Sequence, residues 1–197
     1  TTLIKILCGL LQPTEGAVLV DGQKVGPASK AIISYLPDRM YFADWMKATD
    51  LFDLFADFYA DFDRVRAMSM CASLGVTPSD RLKSMSKGTK EKVQLVLVMA
   101  RKAQLYLLDE PIAGVDPAAR DFILSTILTN YNEDGTVMIS THLISDIEKV
   151  LDEAIFLKDG QIVLHDTADN IRERENKSVD ALFREVFRAQ NMEGGAF

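Results

Sequence analysis

The stretch Leu105-Tyr106-Leu107-Leu108-Asp109-Glu110-Pro111, preceded by Ser86-Lys87-Gly88-Thr89, decides the fold of this chain. Uncharged residues running into adjacent carboxylates read as a buried strand that surfaces at its C-terminal end. Neighbouring side chains on a strand point in different directions, so Asp109 and Glu110 are able to take different tasks. One carboxylate that holds a divalent cation, beside one that activates water, is the pair that nucleotide hydrolysis requires. The plainer reading is a strand end that exits into solvent through acids. The apolar run before them and Pro111 after them favour the chemical reading. Ser86-Lys87-Gly88-Thr89 reads as a polar cap opening a helix, where a hydroxyl and free helix amides also grip phosphate oxygens.

Working outward, Gly88 to Ala103 reads as a helix that is apolar on nearly every side, hence buried. Ile32–Leu36 is a short strand closed by Pro37, and Thr136–Ser140 is a further bare apolar strand of the kind found inside parallel sheets. Asp116 caps and Pro117 starts a helix bearing Ile123, Leu124, Ile127 and Leu128. Upstream, Leu3 to Leu11 carry a helical apolar pattern, and Ala17–Val20 runs into an Asp21-Gly22 hairpin turn. Thr49 is expected to cap a helix with Leu51, Leu54, Phe55 and Phe58 inward, and Asp63 to open another that ends at Gly75. Ala154–Leu157 and Gln161–Leu164 form a second hairpin around Asp159-Gly160. Ser178 is a cap for Val179, Leu182, Phe183, Val186 and Phe187. Strands alternating with helices mean an α/β core interrupted by a helical block.

Bulk composition narrows the partners. The 197 residues carry a net charge of −7, which argues against a nucleic-acid face but not against a locally built phosphate site. Cys8 and Cys71 form no CxxC motif, so a reduced setting is the default. No apolar run approaches the roughly 20 residues that span a bilayer, and the opening residues show no charged-then-apolar leader pattern. Any membrane passage therefore belongs to another chain.

With Gly114-Val115-Asp116-Pro117 and Ser140-Thr141-His142 following in order, the string resembles the ATP-binding subunit of an ABC transporter. The resemblance covers the chain to about Phe187. It implies a RecA-like P-loop NTPase core over 1–40 and 104–165, an inserted helical subdomain over 41–103 and a C-terminal helical extension over 166–197. It implies ATP and Mg²⁺, with Glu110 as the base and His142 bonding the γ-phosphate. Ser86, Lys87 and Gly88 would cap the nucleotide of an opposing subunit, with Asp116 at the dimer interface. The family sequence is Leu-Ser-Gly-Gly-Gln, so Met85, Lys87 and Thr89 depart from it. Lys87 matches a variant of exporter-type members. Asp38 stands where the family has Gln and would contact the metal with Thr1 and Asp109. Tyr41, Phe42, Trp45 and Met46 either line the groove for a permease's coupling helix or belong to the core. The implied partners are a second ATPase subunit and separate transmembrane permease subunits, at the cytoplasmic face of a membrane.

Thr1-Thr2-Leu3-Ile4 looks like the residues just after the Lys of the phosphate loop G-x-x-x-x-G-K-[ST], so Thr1 is the expected metal hydroxyl and Thr2 the next loop residue. The strand and loop before that helix, and the aromatic that stacks on adenine, are not in the 197 residues. Such a piece is expected to bind ATP poorly and to leave neighbouring strands unpaired. Other readings are a soluble, non-transport ABC ATPase and a non-catalytic dimerising scaffold. Asp38 and Ser86 are too close in sequence to admit the long coiled coil of chromosome-type members.

Overall fold

The computed structural model describes residues 1–188, so positions 189–197 of the expected C-terminal extension lie outside the described residues. The chain divides into compact units, Thr1–Thr141 and His142–Phe197.

The first unit is built on a parallel sheet of three strands, β3 (Ile33–Leu36), β4 (Leu105–Asp109) and β5 (Thr136–Ser140), in that order. Register pairs Leu36 with Leu108 and Asp109 with Ser140, so the strands' carboxyl ends lie side by side. β4 is central and buried from Tyr106 onward, as its unbroken apolar run dictates. β5 was expected to be interior, yet it is half-buried along Val137–Ser140. Among the described residues it has a neighbour on one side only.

Helix α1 (Thr2–Leu7) precedes a small hairpin of β1 (Leu19–Val20) and β2 (Gln23–Lys24). Both turn residues, Asp21 and Gly22, have positive φ, as a tight hairpin of this hand requires. α1 stops sooner than the pattern to Leu11 predicts, because Gly9 turns left-handed at φ +68°. A Cβ there would sit 2.8 Å from Val25 Cγ1, so only glycine lets the chain turn at this point. Leu10 and Leu11 are left exposed. Ile4 and Cys8 pack on Val20, Ile33 and Leu107 to seat α1 against the sheet.

Helix α2 (Pro27–Ile32) leads into β3. Helices α3 (Ala48–Phe58), α4 (Arg64–Ser73) and α5 (Lys87–Met99) form the helical block. α3 begins two residues earlier than a cap at Thr49 predicts. Its cap is Lys47, whose N–H donates to the Asp50 carboxylate at 2.9 Å. Its buried stripe is Ala48, Leu51, Phe52 and Phe55, while Leu54 and Phe58 face out. Phe62 explains the rotation: its ring lies 6.1 Å from Phe52 and 5.7 Å from Phe55, drawing that side of α3 inward. α4 starts at the Asp63 cap, with Gly75 left-handed just after its end. α5 is buried on all sides from Val93 to Met99, and Ser34 Oγ donates to Val98 O at 2.9 Å to join it to the sheet.

Arg101 fastens the helical block to the sheet. It is almost wholly buried, donates Nε to Asp61 Oδ1 at 2.9 Å and Nη2 to Asp61 Oδ2 at 3.1 Å, and also reaches the carbonyls of Ile33 and Ala31. Its guanidinium lies 3.7 Å from the centre of the Tyr59 ring. Helix α6 (Pro117–Asn130), capped by Asp116, connects β4 to β5.

In the second unit, α7 (Ile144–Ile147) precedes an antiparallel hairpin of β6 (Glu153–Lys158) and β7 (Gln161–Thr167). Helices α8 (Ala168–Glu175) and α9 (Val179–Arg188) follow. Ala154, Phe156, Ile171, Val179 and Leu182 form its core, with Phe183 edge-on to Phe156. Ser178 caps α9 as expected, its Oγ accepting from Ala181 N at 3.1 Å. His165 bonds Glu153 Oε2 at 3.0 Å across the hairpin.

Burial pushes the thiols of Cys8 and Cys71 up to about 11. Both therefore stay protonated and poorly nucleophilic near neutral pH. Iodoacetamide at pH 8 is expected to modify neither until denaturant exposes them, and mass spectrometry of the native protein checks this. Prompt modification at either site would contradict the burial described.

Candidate functional site

Parallel α/β sheets bind ligands beyond the carboxyl ends of their strands, and Thr1, Asp109 and Glu110 lie there. Thr1 caps α1, yet its hydroxyl makes no cap bond. It donates instead to Asp109 Oδ1 at 3.1 Å, across 108 positions of sequence. Ser140 Oγ donates to the same oxygen at 3.0 Å from the end of β5. The register that pairs Asp109 with Ser140 brings the two side chains within reach of each other. Asp109 itself is buried, and its other oxygen, Oδ2, has no hydrogen-bond partner among the described residues.

Glu110 lies one step past the strand in the left-handed region, at φ +53°. For a residue with a Cβ this costs about 1–2 kcal/mol and needs support from its surroundings. That support is explicit: Glu110 N–H donates to Ser140 O at 2.8 Å, and its carbonyl accepts from Ala113 N at 3.1 Å. The kink, rather than strand alternation, is what separates the aim of the two carboxylates.

Asp38 follows β3 and is partly exposed, with Arg39 Nε at 3.6 Å from its carboxylate. Its loop is held from below by Gln94 in α5. This buried amide donates to the carbonyls of Pro37 and Arg39, both at 3.4 Å. The Tyr35 phenol is pushed up to about 12, first by burial and then by the negative charges of Asp109 and Asp38.

Ser86 caps α5, its hydroxyl accepting from Thr89 N at 3.1 Å and bonding Thr89 Oγ1 at 2.8 Å. It is exposed, and no hydrogen bond links it to Asp109. A Cβ on Gly88 would meet open space. Lys87 Nζ lies 3.7 Å from Glu91 and 3.6 Å from where a Cβ of Gly114 would stand, which places it by the loop that leads to Asp116. Asp116 is an exposed cap accepting from Ala119 N at 3.1 Å. Thr2 is the exposed first residue of α1. His142 is exposed and opens the second unit, two residues beyond Ser140.

The structure thus brings Thr1, Asp109 and Ser140 together with Glu110 alongside, and leaves Ser86, Lys87, Gly88 and Asp116 at helix starts elsewhere on the first unit. Ser140 and Gln94 escaped the sequence reading. Ser140 stood inside the Ser-Thr-His string, but its bond to Asp109 depends on strand register. Gln94 looks like an interruption in an apolar helix.

A model of the ABC transporter family matches residues 1–113. The chain belongs to the ABC transporter family. This ABC protein is 27% identical over 184 residues to an uncharacterized ABC transporter ATP-binding protein of Nostoc sp., covering 89% of this chain and 55% of that one. It is 29% identical over 184 residues to the thiamine import ATP-binding protein ThiQ of Rhizobium meliloti, covering 89% and 77%. A solved ATP-binding subunit of an ABC transporter superposes with a TM-score of 0.79 at 25% identity, covering 94% of this chain and 82% of that one. The fold is therefore the P-loop NTPase core of ABC ATPases. The ABC chain spans about half the length of curated relatives such as those of Nostoc and Synechocystis.

The donor set of this ABC site fits Mg²⁺. A buried carboxylate oxygen without a partner is costly, and a hard cation with oxygen ligands removes that cost. Thr1 and Asp109 would hold the ion, with Asp38 at the rim, and the ion would supply charge neutralisation at the phosphates. No cluster of three or more His, Cys, Asp or Glu able to hold a metal occurs among the described residues. Mg²⁺ is commonly held by one or two carboxylates plus phosphate oxygens and water.

Proposed function

We propose that the chain is the ATP-binding and ATP-hydrolysing part of an ABC transporter, in which a pair of such subunits closes on Mg·ATP and drives separate permease subunits. The buried Asp109, with one oxygen satisfied by Thr1 and Ser140 and the other unpaired, carries this reading. Glu110 orients and deprotonates the attacking water, and His142 bonds the γ-phosphate. Ser86, Lys87 and Gly88 cap the nucleotide held by the partner subunit, and Asp116 lies at the interface between the two. The exposure of Ser86 and Asp116 supports a role across a subunit boundary. The proposed division keeps 1–40 and 104–165 as core, 41–103 as helical subdomain and 166–197 as extension.

No helix among the described residues is long and apolar enough to cross a membrane. Attachment at the cytoplasmic face through a permease accords with that, and the net charge of −7 disfavours nucleic acid as a partner. For direction we read export, from Lys87 in the signature stretch. The name of the Rhizobium relative favours import as the second reading. Transport into or out of sealed vesicles separates the two.

The test is Asp109→Ala in the full-length protein, followed by ATP turnover against Mg²⁺ concentration. Turnover is expected to fall at least roughly 10²-fold and to lose its Mg²⁺ dependence. A wild-type protein with no Mg²⁺-dependent turnover would leave the scaffold reading instead, and a variant as active as a turning-over wild type would show that Asp109 does not hold the metal.

A further inference from the structure

Tyr35 is the third residue of β3 and stands opposite Leu107 of β4. Side chains two residues apart on a strand share a face, so Asp109, two beyond Leu107, projects on the same side of the sheet as Tyr35. That is the side α1 covers. The Tyr35 ring packs on the cluster of Ile4, Cys8, Val20, Ile33 and Leu107, and Thr1 reaches Asp109 from the same helix start. Tyr35 is half-buried, with its phenol oxygen fully inside and without a hydrogen-bond partner among the described residues. Asp109 Oδ2 is in the same condition, and the two oxygens do not bond each other. The charges of Asp109 and Asp38 both act on the phenol, which places it within electrostatic reach of the cation site. Its backbone is fixed on either side, by Ser34 Oγ on Val98 O and by the Gln94 amide on the carbonyls of Pro37 and Arg39.

A buried hydroxyl without a partner is costly, and the ring packing does not require it: phenylalanine would fill the same place. Orphaned oxygens on one face of neighbouring strands fit a shared partner able to bond both. A water bound to a divalent cation has that chemistry. Mg²⁺ keeps several waters, and the ion's charge makes each a strong donor with two protons to place. A carboxylate oxygen takes one, and a phenol oxygen, which accepts as well as donates, takes the other. We propose that Tyr35 is a positioning residue of the cation site, holding with Asp109 a water of the Mg²⁺ shell. The proposal rests on the reading that the chain binds Mg·ATP. Outer contacts of this kind contribute roughly 10- to 100-fold to the retention of an ion.

Tyr35→Phe removes the oxygen and keeps the ring. Binding of the non-hydrolysable analogue AMP-PNP to the full-length protein is measured by calorimetry, once with Mg²⁺ and once in EDTA. The variant is expected to bind about tenfold or more weakly than wild type with Mg²⁺, and equally in EDTA. Without metal it is expected to melt at no lower a temperature than wild type, because the oxygen it loses has no partner. Equal binding of variant and wild type with Mg²⁺, or equal weakening in both media, would overturn the proposal. A lower melting temperature without metal would show that the hydroxyl already has a partner in the protein, and would overturn it too. A wild type that binds AMP-PNP equally with Mg²⁺ and in EDTA would remove the cation's part and the proposal with it, leaving nucleotide binding intact. A wild type that binds no AMP-PNP in either medium would instead overturn the ATPase reading itself.

Discussion

Glu110→Gln in the full-length protein is expected to lower ATP turnover by roughly 10²- to 10³-fold while leaving ATP binding intact. The amide matches the carboxylate in size, so the kink at φ +53° and the bond from Glu110 N to Ser140 O persist. What disappears is the oxygen able to take a proton from water. Single-turnover hydrolysis and equilibrium binding, measured together, separate these effects. Turnover within threefold of wild type would show that the base is another group. Glu110→Gly is a useful companion. It removes the carboxylate and also the left-handed strain, so it is expected to abolish turnover without any loss of thermal stability.

Arg101→Met should unfold the protein more readily than any change at the site, with a loss of about 3–5 kcal/mol in urea denaturation. The guanidinium joins the Asp61 carboxylate, the Tyr59 ring and the carbonyls of Ile33 and Ala31 in one buried place. Methionine fills much of the volume but leaves those carbonyls unsatisfied and Asp61 without its counter-charge. Because Asp61 is partly exposed and can regain water, the lower end of the range is expected. Arg101→Lys recovers little, since a single ammonium cannot serve the carboxylate fork and both carbonyls at once. A loss under 1 kcal/mol would mean that the network is incidental. Against a usual total of about 5–15 kcal/mol, the expected loss is large enough to lower the yield of folded protein.

The parts of the fold carried by contiguous residues were legible in the sequence. β4 and β5 are bare apolar runs, β3 is a short strand closed by Pro37, and the caps at Asp63, Ser86, Asp116 and Ser178 fall where polar residues precede periodic ones. α2 and the bounds of α8 leave little mark in the sequence. α2 offers little apolar content after Gly26-Pro27, and α8 buries only Ala168 and Ile171 along a charged run. The register of α3 was misread because Leu51, Phe52, Leu54, Phe55 and Phe58 make too wide an apolar stripe to have one obvious centre. Phe62, outside the helix, made the choice.

At the site, Asp109 and Glu110 announced themselves as neighbours in sequence. The Ser140 hydroxyl on Asp109, and the bond from Glu110 N to Ser140 O that supports the left-handed turn, arise only when β4 and β5 pair in register. Long-range pairing leaves no local mark on the chain. The aromatic run Tyr41–Met46 had an open choice between groove and core, and the structure divides it. Tyr41 and Trp45 are exposed, while Phe42 and Met46 are half-buried and Phe42 packs toward Phe55.

Gln94 lies eight residues along α5 from the Ser86 cap, about 12 Å at helical rise, and its amide grips the backbone on both sides of Asp38. A helix of this length behaves as a stiff rod, so tilting the Ser86 end drags residues 37–39 with it. A displacement of the Ser86 end is therefore expected to shift residues 37–39, and Gln94→Leu to uncouple the two.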